Sequence, residues 1–310
     1  MERYRYLLAT NPEAVGAHLI RTELPEHAGL IARWLMGKSV GMALGGGGAR
    51  GMAHIGILQV LEHEGVVVDA VAGSSAGTIM AGIASIGLCT DEMADLVDRH
   101  LIRSRSHPFS AYALPLISSS LLSNKRARKQ LRKFFGNMHC AQTRIAFFPV
   151  CTNMLDGTET VVRDLPIREA ILASGAAPGL FPLIEHNGRI LADGGMVNNV
   201  PASVLKRYGC EFVISSNISI DPAKTTFNPR SMTRTILHAL DILMDHSLKE
   251  YLGYTNFEIK PAVDAFGVLD FKAGKKIMEI GRQTITKRLP ELKRQLARAG
   301  IQLRPPKSKR

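Results

Sequence analysis

Three short stretches of this chain carry residues whose types and spacing could do chemistry. Gly73-Ser74-Ser75-Ala76-Gly77 follows the apolar run Val66 to Ala72. Between a strand and a helix, G-x-S-x-G lifts its central serine out of a turn too tight for side chains on the neighbours. Ser75 holds that centre, Ser74 is the rival hydroxyl, and a helix N-cap is the non-chemical role open to Ser75. A serine that attacks a carbonyl needs donors for the oxyanion, and the glycines Gly45, Gly46, Gly47 and Gly48 can leave their amides open for it. Arg50, two residues on, would anchor that loop through carbonyls or meet an anionic group of a substrate. The serine also needs a base. Asp193, in Asp193-Gly194-Gly195, ends a short apolar run at the kind of strand edge where α/β sites gather.

Other chemistries compete for the same residues. Gly46-x-Gly48-x-x-Gly51 satisfies the dinucleotide fingerprint, and Asp69 stands about where a ribose-binding acid is expected. That reading leaves the Ser75 turn and the Asp-Gly-Gly unexplained. A P-loop is excluded, because no Gly-Lys-Ser/Thr follows the glycines. A Ser–His–Asp esterase acting on small esters would take Ser75, Asp193 and then His238 or His246, in the chain order of α/β-hydrolases. Both histidines fall inside a predicted helix rather than on a loop. His54 and His186 flank the two blocks and read as structural. A non-catalytic lipid-binding protein is the reading outside enzymology, and the intact serine, aspartate and glycine loop count against it.

The elements that must position these residues alternate strand and helix. Strands are predicted at Val40 to Leu44, Val66 to Ala72, Ile145 to Thr152, Glu159 to Arg163, Arg189 to Ala192, Glu211 to Ser216 and Phe257 to Ile259. Helices are predicted at Met52 to Glu64, Thr78 to Gly87, Asp91 to Leu101, Ile167 to Ala173, Ala202 to Tyr208, Ser231 to Tyr251 and Ala273 to Ala299, the last broken by Pro290. Such alternation implies a mostly parallel sheet covered on both faces. Residues 1–38 read as two short helices, packed on the main domain or left from a linker. A basic amphipathic helix over 125–135 beside a serine-rich apolar arm suits a lid or an anionic membrane surface.

Composition sets the outer limits. With 310 residues, 45% hydrophobic and 21% charged, the chain can bury a sizeable core. The net charge of +12 favours an anionic partner. No nucleic acid is expected, since neither interleaved aromatics nor a helix-turn-helix accompanies the charge. Cys89, Cys140, Cys151 and Cys210 form no C-x-x-C pair, so reduced thiols are expected and no metal site. Met1 to Arg5 lacks a leader pattern and no apolar run is long enough to span a membrane. The expected location is cytoplasmic, with peripheral contact at a membrane face.

The conjunction of blocks resembles the patatin-like phospholipase family. Gly45 to Gly51, Gly73 to Gly77 and Asp193-Gly194-Gly195 match its three signatures, and Ala173 to Pro182 resembles the block that precedes its aspartate. Pro115 to Gly136 and Asn256 to Phe271 resemble the bacterial and neuropathy-target-esterase branch. The resemblance implies a three-layer α/β/α sandwich and a Ser–Asp dyad: Ser75 the nucleophile, Asp193 its base, Gly46, Gly47 and Gly48 the oxyanion hole. It implies acyl esters of phospholipids or lysophospholipids as substrates, hydrolysed through an acyl-enzyme with no cofactor and no metal. The domains expected are an N-terminal segment over 1–38, a catalytic domain over 39–285, and a basic helix and tail over 286–310.

Overall fold

A computed structural model describes residues 25–99, 125–221, 230 and 232–306. The fold is a three-layer α/β/α sandwich around a sheet of eight strands. These are β1 (Val40–Leu44), β2 (Ala70–Ser74), β3 (Ala146–Asn153), β4 (Glu159–Val161), β5 (Ile184–His186), β6 (Arg189–Asp193), β7 (Phe212–Ser216) and β8 (Phe257–Ile259). The sheet order is β5-β6-β3-β2-β1-β7-β8, with β4 pairing only β3. From β3 to β8 every pairing is parallel, while β4, β6 and β5 run antiparallel. The helices are α1 (Pro25–Leu35), α2 (Met52–His63), α3 (Ala76–Ser85), α4 (Thr90–Val97), α5 (Lys125–Phe135), α6 (Ile167–Ser174), α7 (Ala202–Tyr208), α8 (Met232–Tyr251) and α9 (Gly274–Arg298).

Strand sequences explain the two cores. Every residue of β1, Val-Gly-Met-Ala-Leu, is buried, as a central parallel strand requires. Period-2 alternation sends Met42, Leu44, Val71 and Phe147 into one core with the apolar sides of α2, α3 and α9. Ala43, Ala70, Ala72 and Phe148 face the other core, which α7 covers. Helix α1 joins this second face: Trp34 packs edge-on against Tyr208, with ring centroids 4.5 Å apart. Arg33 also pairs with Asp69, Nη2 to Oδ1 at 2.5 Å. The segment around 25–35 is therefore packed on the sheet domain.

The structure departs from the expected elements in two places. Helix α9 is unbroken across Pro290, where a break is expected from the sequence. A mid-helix proline costs about 3 kcal/mol. The buried stripe Ile277, Met278, Ile285, Leu292 and Leu296 lies on both sides of it and outweighs that cost. Strand β5 was not expected, because three residues are too few to show a period. The predicted helix end Val97 to Leu101, the apolar arm before 125 and the polar loop Asp221 to Arg230 extend into 100–124 and 222–229, outside the described residues, as do 1–24 and 307–310.

Candidate active site

Ser75 is the joint between β2 and α3, with φ 52° and ψ −122°. Among the described residues only Asn187 shares a positive φ without being glycine, and asparagine tolerates that region far better than serine. A turn of this kind costs about 1–3 kcal/mol and persists only where its surroundings fix it. The Ser75 N–H donates to Ser174 O at 3.1 Å and to Ser174 Oγ at 3.0 Å. Ser174 Oγ in turn donates to Val150 O and accepts from Thr78 Oγ1, both at 2.6 Å. The flanking glycines are required by crowding. A Cβ on Gly73 would lie 2.5 Å from the Gly77 carbonyl carbon, and one on Gly77 would overlap the Leu44 carbonyl oxygen. Ser74 is fully buried and its hydroxyl donates to Asn198 O at 2.6 Å, which removes it as a rival. Ser75 makes no side-chain cap bond to α3, so the N-cap role is not taken up.

The glycine loop lies against this turn. A Cβ on Gly46 would stand 3.0 Å from the Ser75 Cβ. Four residues fix the loop. His54 bonds the Gly45 carbonyl through Nε2 at 2.8 Å and Ser216 Oγ through Nδ1 at 2.8 Å. Burial lowers the His54 pKa to about 4, against the raising effect of the Gly45 bond, so the ring is neutral at pH 7. Asn199 accepts the Gly46 N–H on Oδ1 at 2.9 Å, and its Nδ2 lies 3.5 Å from Gly46 O. Arg50, 1% exposed, donates from Nε to Gly47 O at 3.0 Å and from Nη2 to Asp241 Oδ1 at 2.6 Å. Val268 O accepts the Ala49 N–H at 2.8 Å. The Gly46 and Ala49 amides are thus engaged. Those of Gly47 and Gly48 make no hydrogen bond among the described residues. Of Arg50's two expected roles, anchoring through a carbonyl is the one seen.

Asp193 ends β6 and is 2% exposed. Its Oδ1 accepts the Gly195 N–H at 2.9 Å, while Thr152 Oγ1 fixes its main chain through Asp193 O at 2.7 Å. Burial raises the Asp193 pKa to about 6, against the lowering effects of the Gly195 amide and a hydrogen bond from the Ser75 hydroxyl. Two distant sequence blocks are thus brought together, the turn that carries Ser75 and the buried Asp193 carboxylate. No described histidine is among the groups acting on Asp193. His186 pairs with Asp164 at 2.6 Å and His246 is exposed on α8. Substituting alanine for His238 or His246 should leave ester turnover within about threefold. A loss of about 10³-fold at either would replace the two-residue arrangement by a triad.

Asp69, the acid of the dinucleotide reading, precedes β2 at the sheet edge opposite Ser75. Its carboxylate is taken by Arg33 and by the Val40 N–H at 3.0 Å. Among the described residues no three His, Cys, Asp or Glu side chains are grouped to hold a metal. Sequence reasoning did not single out Ser174, Thr78, Asn199 or Asp241. Ser174 was within reach, since it lies in the block Ala173 to Pro182. Asn199 and Asp241 carry no local pattern that marks them.

An uncharacterized NTE family protein of Mycobacterium tuberculosis is 29% identical over 305 residues, covering 89% of this chain and 49% of its own length. Lysophospholipase NTE1 of Saccharomyces cerevisiae is 29% identical over 188 residues, covering 61% of this chain and 11% of its own. The chain thus spans about half the length of the mycobacterial relative and a much smaller part of the yeast one. Among solved structures, VipD from Legionella pneumophila aligns with a TM-score of 0.47 at 14% identity, covering 82% of this chain and 67% of its own. The sequence profile of the patatin-like phospholipases matches residues 42–206, from within β1 to α7. That span is more than half of the 310 residues and contains both glycine turns and the aspartate block, so the chain belongs to the patatin-like phospholipase family.

Proposed function

We propose that this chain is a serine esterase that hydrolyses acyl esters of phospholipids or lysophospholipids, with Ser75 as nucleophile and Asp193 as its base. One observation supports the reading: a serine at a strained strand–helix turn lies close enough to the buried Asp193 carboxylate to act on its ionisation, and burial raises that carboxylate's pKa. Ser75 Oγ attacks the ester carbonyl as its proton passes to Asp193, and the carbonyl oxygen becomes an oxyanion. The amides of Gly47 and Gly48 are the donors for that charge. Gly46, grouped with them in the sequence, has its N–H on Asn199 and instead sets the position of the loop. The tetrahedral adduct collapses, Asp193 protonates the departing alkoxide, and lysolipid or glycerophospho-alcohol leaves. Water then repeats the cycle on the acyl-enzyme, with Asp193 again the base.

The substrate class rests on the family and on relatives named neuropathy target esterase and lysophospholipase. No helix among the described residues is long and apolar enough to cross a membrane. The lipid is met instead at a surface, for which α5 is the basic candidate. Its Phe135 is buried while Lys129, Arg132 and Lys133 are exposed. Two measurements test the reading: fluorophosphonate labelling, and mass spectrometry of products from a mixed lipid panel. Wild type should be labelled and release fatty acid from phospholipid or lysophospholipid, and Ser75→Ala should do neither. Equal labelling of both chains would remove Ser75 from the role, and an unaltered lipid panel would remove the substrate class.

A further inference from the structure

We propose that Asp241 is a positioning residue for the oxyanion site: through Arg50 it sets the direction of the Gly48 amide. The consequence for catalysis rests on the esterase reading above. A trans peptide points its carbonyl and the following N–H in opposite directions. Whatever holds the Gly47 carbonyl therefore aims the Gly48 N–H. Both donors to Gly47 O belong to Arg50, its Nε at 3.0 Å and its own backbone N–H at 3.3 Å. The same logic applies one peptide earlier, where Asn199 Nδ2 lies 3.5 Å from Gly46 O and turns the Gly47 N–H away from itself. Each of the loop's two unengaged amides, Gly47 and Gly48, follows a carbonyl that a side chain holds.

Arg50 is buried, and Asp241 is the carboxylate paired with it among the described residues, at 2.6 Å with side-chain exposures of 1% and 13%. A buried guanidinium can rotate about its stem, and a short ion pair to a helix removes that freedom. The helix is α8, which reaches the other half of the site from the same face. Ser247 Oγ accepts the Asn199 N–H at 3.1 Å and lies 3.2 Å from Gly195 O. Met244, between Asp241 and Ser247, is buried, and its Cε would lie 2.9 Å from a Cβ on Gly195. One helix face thus fixes both the donor loop and the segment after the base. Displacing α8 would misalign the two together.

The test compares wild type, Asp241→Asn and, as a control one turn along the same helix, Asp245→Asn. Glycine-selective ¹⁵N labelling reads the Gly47 and Gly48 amide resonances without any substrate. Turnover is measured on an activated ester and on its thiono analogue, whose sulfur accepts hydrogen bonds poorly. Asp241→Asn should move the Gly48 resonance and lower kcat on the oxygen ester by about 10–100-fold, short of the loss from deleting a donor outright. KM should stay within about twofold and the thionoester should lose less than about threefold. Unmoved resonances, or equal losses on the two esters, would overturn the assignment. If the resonance moves but wild type hydrolyses neither ester, the positioning role stands and the esterase reading falls.

Discussion

Asp193→Asn is expected to lower kcat on an activated ester by about 10³–10⁴-fold, with KM nearly unchanged. The amide cannot accept the Ser75 proton, while the turn, the glycine loop and the Thr152 bond to the main chain of Asp193 remain. The pH profile gives a second, independent reading. Burial holds the folded pKa at about 6, above an ordinary value of 3.8, so the carboxylate is a competent base only above that point. Wild-type kcat/KM should rise through an acid limb centred near 6 and then level off. The residual rate of Asp193→Asn should be flat across the same window. Stability moves the other way. The folded chain binds this proton more tightly than the unfolded chain does, so ionisation costs stability as pH rises from 3.8 to about 6. The cost is on the order of 3 kcal/mol. Over that interval thermal unfolding of Asp193→Asn should change less with pH than that of wild type. A wild-type limb near 4 would mean that Asp193 is hydrated rather than buried.

Gly281→Ala is expected to destabilise the fold by about 3 kcal/mol or more, although alanine is the better helix former. Helices α2 and α9 meet backbone to backbone. A Cβ on Gly281 would overlap the Ala53 carbonyl oxygen and lie 2.8 Å from its carbon and 2.9 Å from its Cα. On the opposite side, a Cβ on Gly56 would overlap the Met278 carbonyl oxygen and stand 2.8 Å from Arg282 N. Backbone cannot yield as a side-chain tip can, so the helices must part. The core around Ile55, Ile277 and Ile285 then loosens. Gly56→Ala should cost a similar amount. The double variant should cost less than the sum, since the first substitution already opens the contact. Denaturant unfolding midpoints at constant slope measure this, and a loss of stability below about 0.5 kcal/mol for Gly281→Ala would refute the close contact.

How much of this was legible in the sequence follows from where each determinant lies. The sheet was readable because β1, β2, β3 and β7 are short apolar runs followed by turn or helix signals. Ser75 and Asp193 were readable because each sits in a local pattern whose glycines are demanded by crowding at that spot. The supports of the site are different in kind. Asn199 and Asp241 reach the loop region across the fold, and a single long-range hydrogen bond leaves no periodicity behind it. The engaged state of the Gly46 amide was hidden for the same reason, since its partner lies on Asn199. Pro290 misled because local propensity reads a break where packing on α2 carries the helix through. Strand β5 exists by pairing with β6, from Ile184 opposite Leu191 to His186 opposite Arg189, and not by any preference of its own.

Strand β3 acts as a caliper. Its first part, Ala146 to Val150, runs beside β2 and places Ser74 opposite Val150. Its last part, Cys151 to Asn153, carries β6 and places Asp193 opposite Cys151. Ser74, next to Ser75, and Asp193 are thus referred to adjacent positions on one strand, about 3.3 Å apart along it. Their separation is graduated in residues of β3 and does not depend on the length of chain that joins them. Loops before Ala146 or between Asn153 and Arg189 can lengthen without changing the gap between hydroxyl and carboxylate. A single residue inserted within β3 would reset it.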